Sequence, residues 1–322
     1  MKNSKTLLFV SIIILLLCQS AAAVAENDLV VDTKRNKLIG YMLGKQLPSI
    51  HYSDKLVDDD LSRAAFDLYI KQLDFQKRFL LASDVAELSS FATEIDDNLL
   101  RGTIGLPEVG YQIMVKRIGQ VKQLVGEILA ERLDTGVAET MESDPEKLGY
   151  AVDEAELRQR WRKILKAQIM NRYLDLEEEY STSGETINTD EIWREATERV
   201  SKRFTDFFNR LDQETLQDHY DRYFNAVARA FDPHTNYMPP DRKEDFDIHM
   251  RGSLEGIGAL LREEYGYIKV VRIIPGSASA KEGRLQAEDI IMAVAEKGEE
   301  PVEVTDMRLR DAVRLIRGPK GT

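Results

Sequence analysis

The sequence predicts a mostly α-helical protein: a helical N-terminal domain over 26–240, then a small α+β domain over 241–322 that is incomplete at its C-terminus. Three observations carry this. Apolar residues recur every three or four positions from about Leu29 to Asp241. Pro239 and Pro240 then end that periodicity. Beyond them come short apolar runs separated by glycine turns, which is how strands read.

The first 25 residues stand apart. Lys2 and Lys5 precede an apolar run over 7–17 that is too short to span a bilayer, and Ala21-Ala22-Ala23-Val24-Ala25 offers small residues for cleavage before Glu26. The expectation is a cleaved secretory signal peptide over 1–25 and a periplasmic location. Cys18, the single cysteine, falls inside that segment, so packing rather than disulfides would hold the exported chain. The formal charge of −12 argues against nucleic acid as a partner, because phosphate binding needs a basic surface.

Within the helical domain, Ile192, Ala196, Val200, Phe204, Phe207 and Leu211 fall on one helical stripe. Ile113, Ile118, Val121, Val125, Ile128 and Leu133 form a second, and Leu61, Ala65, Leu68 and Leu73 a third. Breaks are expected at Pro48, at Ser83-Asp84 as a helix start, at Gly105-Leu106-Pro107, at Asp144-Pro145, and in a polar linker over 181–189.

In the small domain, 254–261 and 267–274 read as two strands of a hairpin around a turn at 263–266. Pro275-Gly276 is a turn, with Ser277 capping a short helix to Lys281. A third strand is expected over 289–294, and an amphipathic helix over 306–317, closed by Gly318 and Pro319.

Chemistry concentrates at Gly256, Ile257, Gly258 and Ala259. Two glycines flanking one apolar residue before a strand let several N–H groups converge on a carboxylate, such as a polypeptide's free C-terminus. The following strand can then accept an extended peptide as an added partner. On the last helix, Leu309, Val313 and Ile316 lie at i, i+4 and i+7 and share a face, which would line an apolar slot for the bound tail's last side chain.

The stretches LDFQKRFLLASDV (73–85), FDPHTNYMPP (231–240), SLEGIGALL (253–261) and RLRDAVRLIRGPKGT (308–322) resemble the N-terminal portion of tail-specific proteases, also called C-terminal processing peptidases. The resemblance implies a helical domain, then a PDZ domain that recognises nonpolar C-termini of periplasmic or membrane proteins, then a protease core with a Ser/Lys dyad. Carried over by position, Gly256, Ile257, Gly258 and Ala259 would be the carboxylate loop, and Leu309 and Val313 pocket residues. A lipoprotein adaptor of tetratricopeptide type is a further partner used by some relatives. Glu288 departs from the pattern, since PDZ sequences often have glycine before the strand's aspartate.

The resemblance expects a protease core after Thr322, and neither its serine nor its lysine has a counterpart among these residues, so no catalytic residue is assigned. Ser277 and Ser279 near Lys281 sit on a short surface segment with nothing to desolvate a lysine. His51, His219, His234 and His249 lack metal-ligand spacing, and no cofactor motif is present. His234 reads as a local hydrogen-bonding residue. The expectation is therefore a chain that binds C-termini without cleaving them, part of a serine protease. A stand-alone periplasmic PDZ adaptor and a gene remnant with an unpaired sheet edge are the alternatives.

Overall fold

The computed structural model describes residues 31–183, 188–251, 256–264, 266–295, 298, 300–305 and 307–317, so the signal peptide expected over 1–25 lies outside them. Two units divide the chain, Met1–Tyr237 and Met238–Thr322.

The first unit is helical because its stripes have helical spacing and its helix starts carry caps. Asp32 accepts the Arg35 N–H and opens α1 (Thr33–Tyr41). Pro48 does not break the chain there. A π turn (Met42–Gln46) leads into Leu47–Ile50 with Pro48 near its start, where a missing N–H costs little. Asp58 caps α2 (Asp59–Leu73) through the N–H groups of Asp60 and Leu61. Asp84 accepts the Leu81 N–H at the head of α3 (Ala82–Leu88), and α4 (Ile95–Arg101) follows. Gly105 precedes α5 (Leu106–Ala130). Residues 131–153 form no helix and lead into α6 (Glu154–Ser183), which runs into the segment read as a polar linker. Asn188 caps α7 (Thr189–Asp212), and Thr215 with Asp218 forms a capping box on α8 (Leu216–Phe231).

These helices bury one continuous core around Tyr69, Trp161, Tyr223 and Phe224, with α2 packed on α8 and α6 on α7. The stripes are those the sequence shows, with small rotations: Phe208 is buried where Phe207 is half-buried, and Leu68 stands at the margin.

Two of the family-like stretches have structural duties in this unit. In the first, the buried Asp74 carboxylate accepts the N–H groups of Arg78, Phe79 and Leu80, each at 2.8 Å, and folds a tight turn. Burial pushes its pKa above the ordinary carboxylate value, while those donors pull it down. In the second, Asp232 accepts the His234 N–H at 2.8 Å and the Tyr52 hydroxyl at 3.0 Å, while Tyr237 accepts from Arg35 at 2.8 Å. The His234 side chain itself is exposed, so Asp232 rather than the imidazole fixes this turn.

The second unit begins with a helix that the prolines concealed, α9 (Pro240–Arg251). Proline tolerates the first turn of a helix, so it can open one as readily as it ends one. The hairpin follows as β1 (Ala259–Glu264) and β2 (Tyr267–Ile273), antiparallel, with a bulge between Leu260 and Leu261. The first strand thus starts five residues later than its apolar pattern suggested. Ser277 accepts the Ala280 N–H and caps α10 (Ala278–Glu282).

The single strand expected over 289–294 is two. β3 (Ile290–Ile291) pairs with β2, and β4 (Ala293–Val294) pairs with β5 (Val302–Glu303) in a separate sheet. The carbonyl of Met292, at the switch, accepts the Val304 N–H. The last helix, α11 (Leu309–Arg317), seats Ala312 against Ile268 and Val304 in a small core of its own.

Glu288 adopts φ +75°, a left-handed conformation in which its Cβ is crowded. Glycine, the residue the resemblance leads one to expect there, takes that conformation without this cost. Its carboxylate meets Lys269 Nζ at 2.6 Å but is largely exposed. Glu288→Gly removes strain of about 1–2 kcal/mol, offset by glycine's unfolded-state entropy of about 0.5–1 kcal/mol. The expected result is a more stable second unit, read as slower hydrogen exchange at the Val270 amide, which donates to Asp289. Faster exchange would contradict the strain.

Candidate peptide-binding site

The loop before β1 is built by backbone conformation. Gly256 has φ +147° and Gly258 φ +79°, both disfavoured for residues with a Cβ. At Gly258 space forbids a side chain as well: a Cβ there would overlap that of Ser277 and lie 2.6 Å from its Oγ. The Pro275-Gly276-Ser277 turn is therefore wedged against the loop.

The loop's carbonyls are committed inward. Ile257 O accepts the Ser279 N–H at 3.0 Å, and Gly258 O accepts the Ile274 N–H at 2.8 Å. Anchored through these oxygens, the two trans peptide planes turn the N–H groups they also contain, those of Gly258 and Ala259, the other way. Ser277 and Ser279 are thus parts of the scaffold, one a cap and wedge, the other a buried anchor whose N–H holds Ile257.

β1 continues from this loop at the edge of the sheet ordered β1-β2-β3. On one side it is hydrogen-bonded to β2, and α11 packs beside it. Ion pairs tie the hairpin together at its far end, where Glu264 meets Arg262 at 3.0 Å and Lys269 at 3.5 Å. The Arg262 hydrogen bond, then the Lys269 charge, hold the Glu264 carboxyl below its ordinary range.

The three helix residues singled out from the sequence are brought to this side in unequal ways. Leu309 and Ile316 are half-buried and also pack on the small core, whereas Val313 is half-buried outside that cluster. The deepest residue of α11 is Ala312. One residue was missed. The stem of Arg317 passes the loop, its Cγ 3.7 Å from where a Gly256 Cβ would stand. Its spacing of four from Val313 and eight from Leu309 already placed it on their stripe. Reading only apolar residues hid it.

An edge strand entered through a two-glycine loop and flanked by an amphipathic helix defines a PDZ-type domain, here following a helical domain. The PDZ domain model matches residues 245–322, and the model for the tail-specific protease N-terminal domain matches residues 43–241. The chain belongs to the tail-specific protease family. It is 31% identical over 278 residues to a tail-specific protease from Haemophilus influenzae, covering 86% of this chain and 38% of that protein. A carboxy-terminal processing protease, CtpA, from Bacillus subtilis is 34% identical over 118 residues, 37% of this chain and 24% of that protein. The chain thus spans well under half the length of these relatives. The solved PDZ domain of a carboxy-terminal protease from Vibrio cholerae, in complex with peptide, shares 40% identity over 21% of this chain and 70% of that one, with a TM-score of 0.21.

Proposed function

We propose that this chain is the N-terminal and PDZ portion of an exported, periplasmic tail-specific serine protease, and that its second unit captures nonpolar C-termini of protein substrates for proteolysis. The observation that carries this is the loop at 256–258, with carbonyls anchored to Ser279 and Ile274 and N–H groups turned away from them at the head of an edge strand. A terminal carboxylate accepts from those N–H groups, and the tail extends β1 by main-chain hydrogen bonds. Val313, with Leu309 and Ile316 beside it, contacts the last side chain, and Arg317 adds positive charge near the carboxylate.

The described serines and lysines that invite a catalytic reading do not support one. Ser277 is a cap, Ser279 is a buried anchor, and Lys281 is exposed, so nothing there holds a lysine neutral beside a nucleophile. Binding without cleavage is the activity proposed for these residues.

The test is calorimetry of the full chain with peptides ending in two or three apolar residues. The expected Kd is micromolar, roughly −8 kcal/mol. Amidating the peptide's C-terminus is expected to abolish binding, because the amide carries no charge and offers one acceptor fewer. Undiminished binding of the amide would overturn the carboxylate loop. Cleavage lost on Ser277→Ala would overturn the non-catalytic role.

A further inference from the structure

The segment between α5 and α6 is strapped to the helical unit by cations. Residues 131–153 form no helix, and their backbone carbonyls accept from side chains outside the segment. Lys166 Nζ donates to Val137 O at 2.7 Å, Lys163 Nζ to Thr140 O at 3.0 Å and Arg160 Nη1 to Gly149 O at 3.0 Å, while Lys77 donates to Leu148 O. Between this segment, α6 and the turn that Asp74 folds lies a cavity of about 270 Å³, with Met141, Pro145, Leu148 and Ile164 as its apolar wall.

Arg78, Arg160 and Lys163 also line it, and two of these cations are already committed. Arg160 donates to Lys77 O, Gly149 O and Glu156, and Lys163 to Thr140 O. Arg78 differs. It is half-buried, forms no ion pair among the described residues, and its hydrogen bond to Gln76 Oε1 is long, at 3.5 Å. A guanidinium carries several donors in a planar fork, so most of them stay uncommitted in a partly dehydrated setting. Asp74 supplies no bond to that fork, because its oxygens accept the N–H groups of Arg78, Phe79 and Leu80. Burial pulls the Arg78 pKa down, and the Asp74 charge offsets part of this.

The remaining lining narrows the ligand. The fork matches a carboxylate through two parallel bonds. Glu142 and Glu156 stand on the same walls, bonded to the Asp144 and Val152 N–H groups, so the cavity favours one negative charge over two. Apolar walls reward an apolar body. A volume just below the range of about 300–1,000 Å³ typical of drug-sized ligands keeps that body short.

We propose that this cavity is a binding site for a small organic monocarboxylate, its oxygens paired with Arg78 and its apolar body laid on Met141, Pro145 and Leu148. The site belongs to the helical unit and does not rest on tail capture by the loop at 256–258. Because the 131–153 segment forms one wall, a bound carboxylate clamps that segment against the Asp74 turn.

Hexanoate is the probe, with hexanamide as its neutral counterpart and succinate as the dianion. Each is titrated into the full chain by ligand-observed nuclear magnetic resonance, with an apolar-ended peptide at saturation to keep hexanoate off the loop at 256–258. Hexanoate is expected to bind in the millimolar range, hexanamide about 10-fold more weakly or worse, and succinate more weakly than hexanoate. Arg78→Gln is expected to bring hexanoate down to the hexanamide level. The turn should survive this change, since residue 78 holds Asp74 and Trp161 through its backbone N–H and carbonyl. Hydrogen exchange on the unmodified chain needs no variant to fold. At about ten times its Kd, hexanoate is expected to slow the Asp144 and Lys147 amides, which donate within the segment, by up to about 10-fold. Equal Kd values for hexanoate and hexanamide, hexanoate affinity unchanged by Arg78→Gln, or unaltered exchange at both amides would each overturn the site.

Discussion

Gly258→Ala is expected to abolish tail binding and to destabilise the second unit, with binding falling at least about 100-fold and stability by about 3 kcal/mol or more. Two costs add. At φ +79° an alanine sits in the left-handed region, worth about 1–2 kcal/mol. The new Cβ also has no room, because the Ser277 side chain already fills that position. Either the loop or the Pro275-Gly276-Ser277 turn must move. If it does, the bonds from Ser279 to Ile257 and from Ile274 to Gly258, which aim the loop's N–H groups, are lost. The small core, built around Ile268, Val304 and Ala312 with Val270 also buried among the described residues, has little stability to absorb this.

The steric part is separable. Adding Ser277→Gly to Gly258→Ala removes the overlapping atoms but leaves the left-handed alanine and weakens the cap on α10 by a few tenths of a kcal/mol. Partial recovery of the fold with poorer recovery of binding is expected. Gly256→Ala is expected to be milder, since among the described residues its Cβ would meet the Arg317 stem at an ordinary 3.7 Å. Calorimetry and thermal melts of the three variants give the ranking, and wild-type affinity in Gly258→Ala would refute this loop geometry.

How far the sequence revealed this arrangement depended on the kind of force involved. Helical stripes were legible because burial writes itself at a spacing of three or four, as in Ile192 to Phe204. Boundaries set by hydrogen bonds were less so. The run before Ala259 looks like strand, yet its glycines hold the loop, and ladder pairing starts only at Ala259. The run from Ile290 to Val294 reads as one strand because its residue types are uniform, and only pairing with two different partners divides it at Met292. The carboxylate loop was legible as a glycine pattern. The wedge by Ser277 and the approach of Arg317 were not, since both join residues 19 or more positions apart through tertiary packing.

The charged residues of the helical unit lead to the second large effect. Arg117→Met is expected to cost about 3–5 kcal/mol. The guanidinium binds Asp84 with two bonds, Nε to Oδ2 at 2.7 Å and Nη2 to Oδ1 at 2.9 Å, and both side chains are at most 10% exposed. The hydrogen bond to Asp84, outweighing desolvation, raises the Arg117 pKa. Methionine fills much of the same volume, so packing is largely kept and the loss reports the charge. Asp84 would be left buried with the Leu81 N–H still donating to it, and an uncompensated buried carboxylate is what makes a broken pair expensive. Asp84→Asn in the Arg117→Met background tests that explanation. It removes the stranded charge, keeps an oxygen for the Leu81 N–H at the start of α3, and should return most of the lost stability. Both tryptophans, Trp161 and Trp193, lie in the first unit, so urea unfolding followed by tryptophan fluorescence reports on that unit. A double variant no more stable than Arg117→Met would mean that the arginine acts through its stem and its contact with Gln120 rather than by neutralising Asp84.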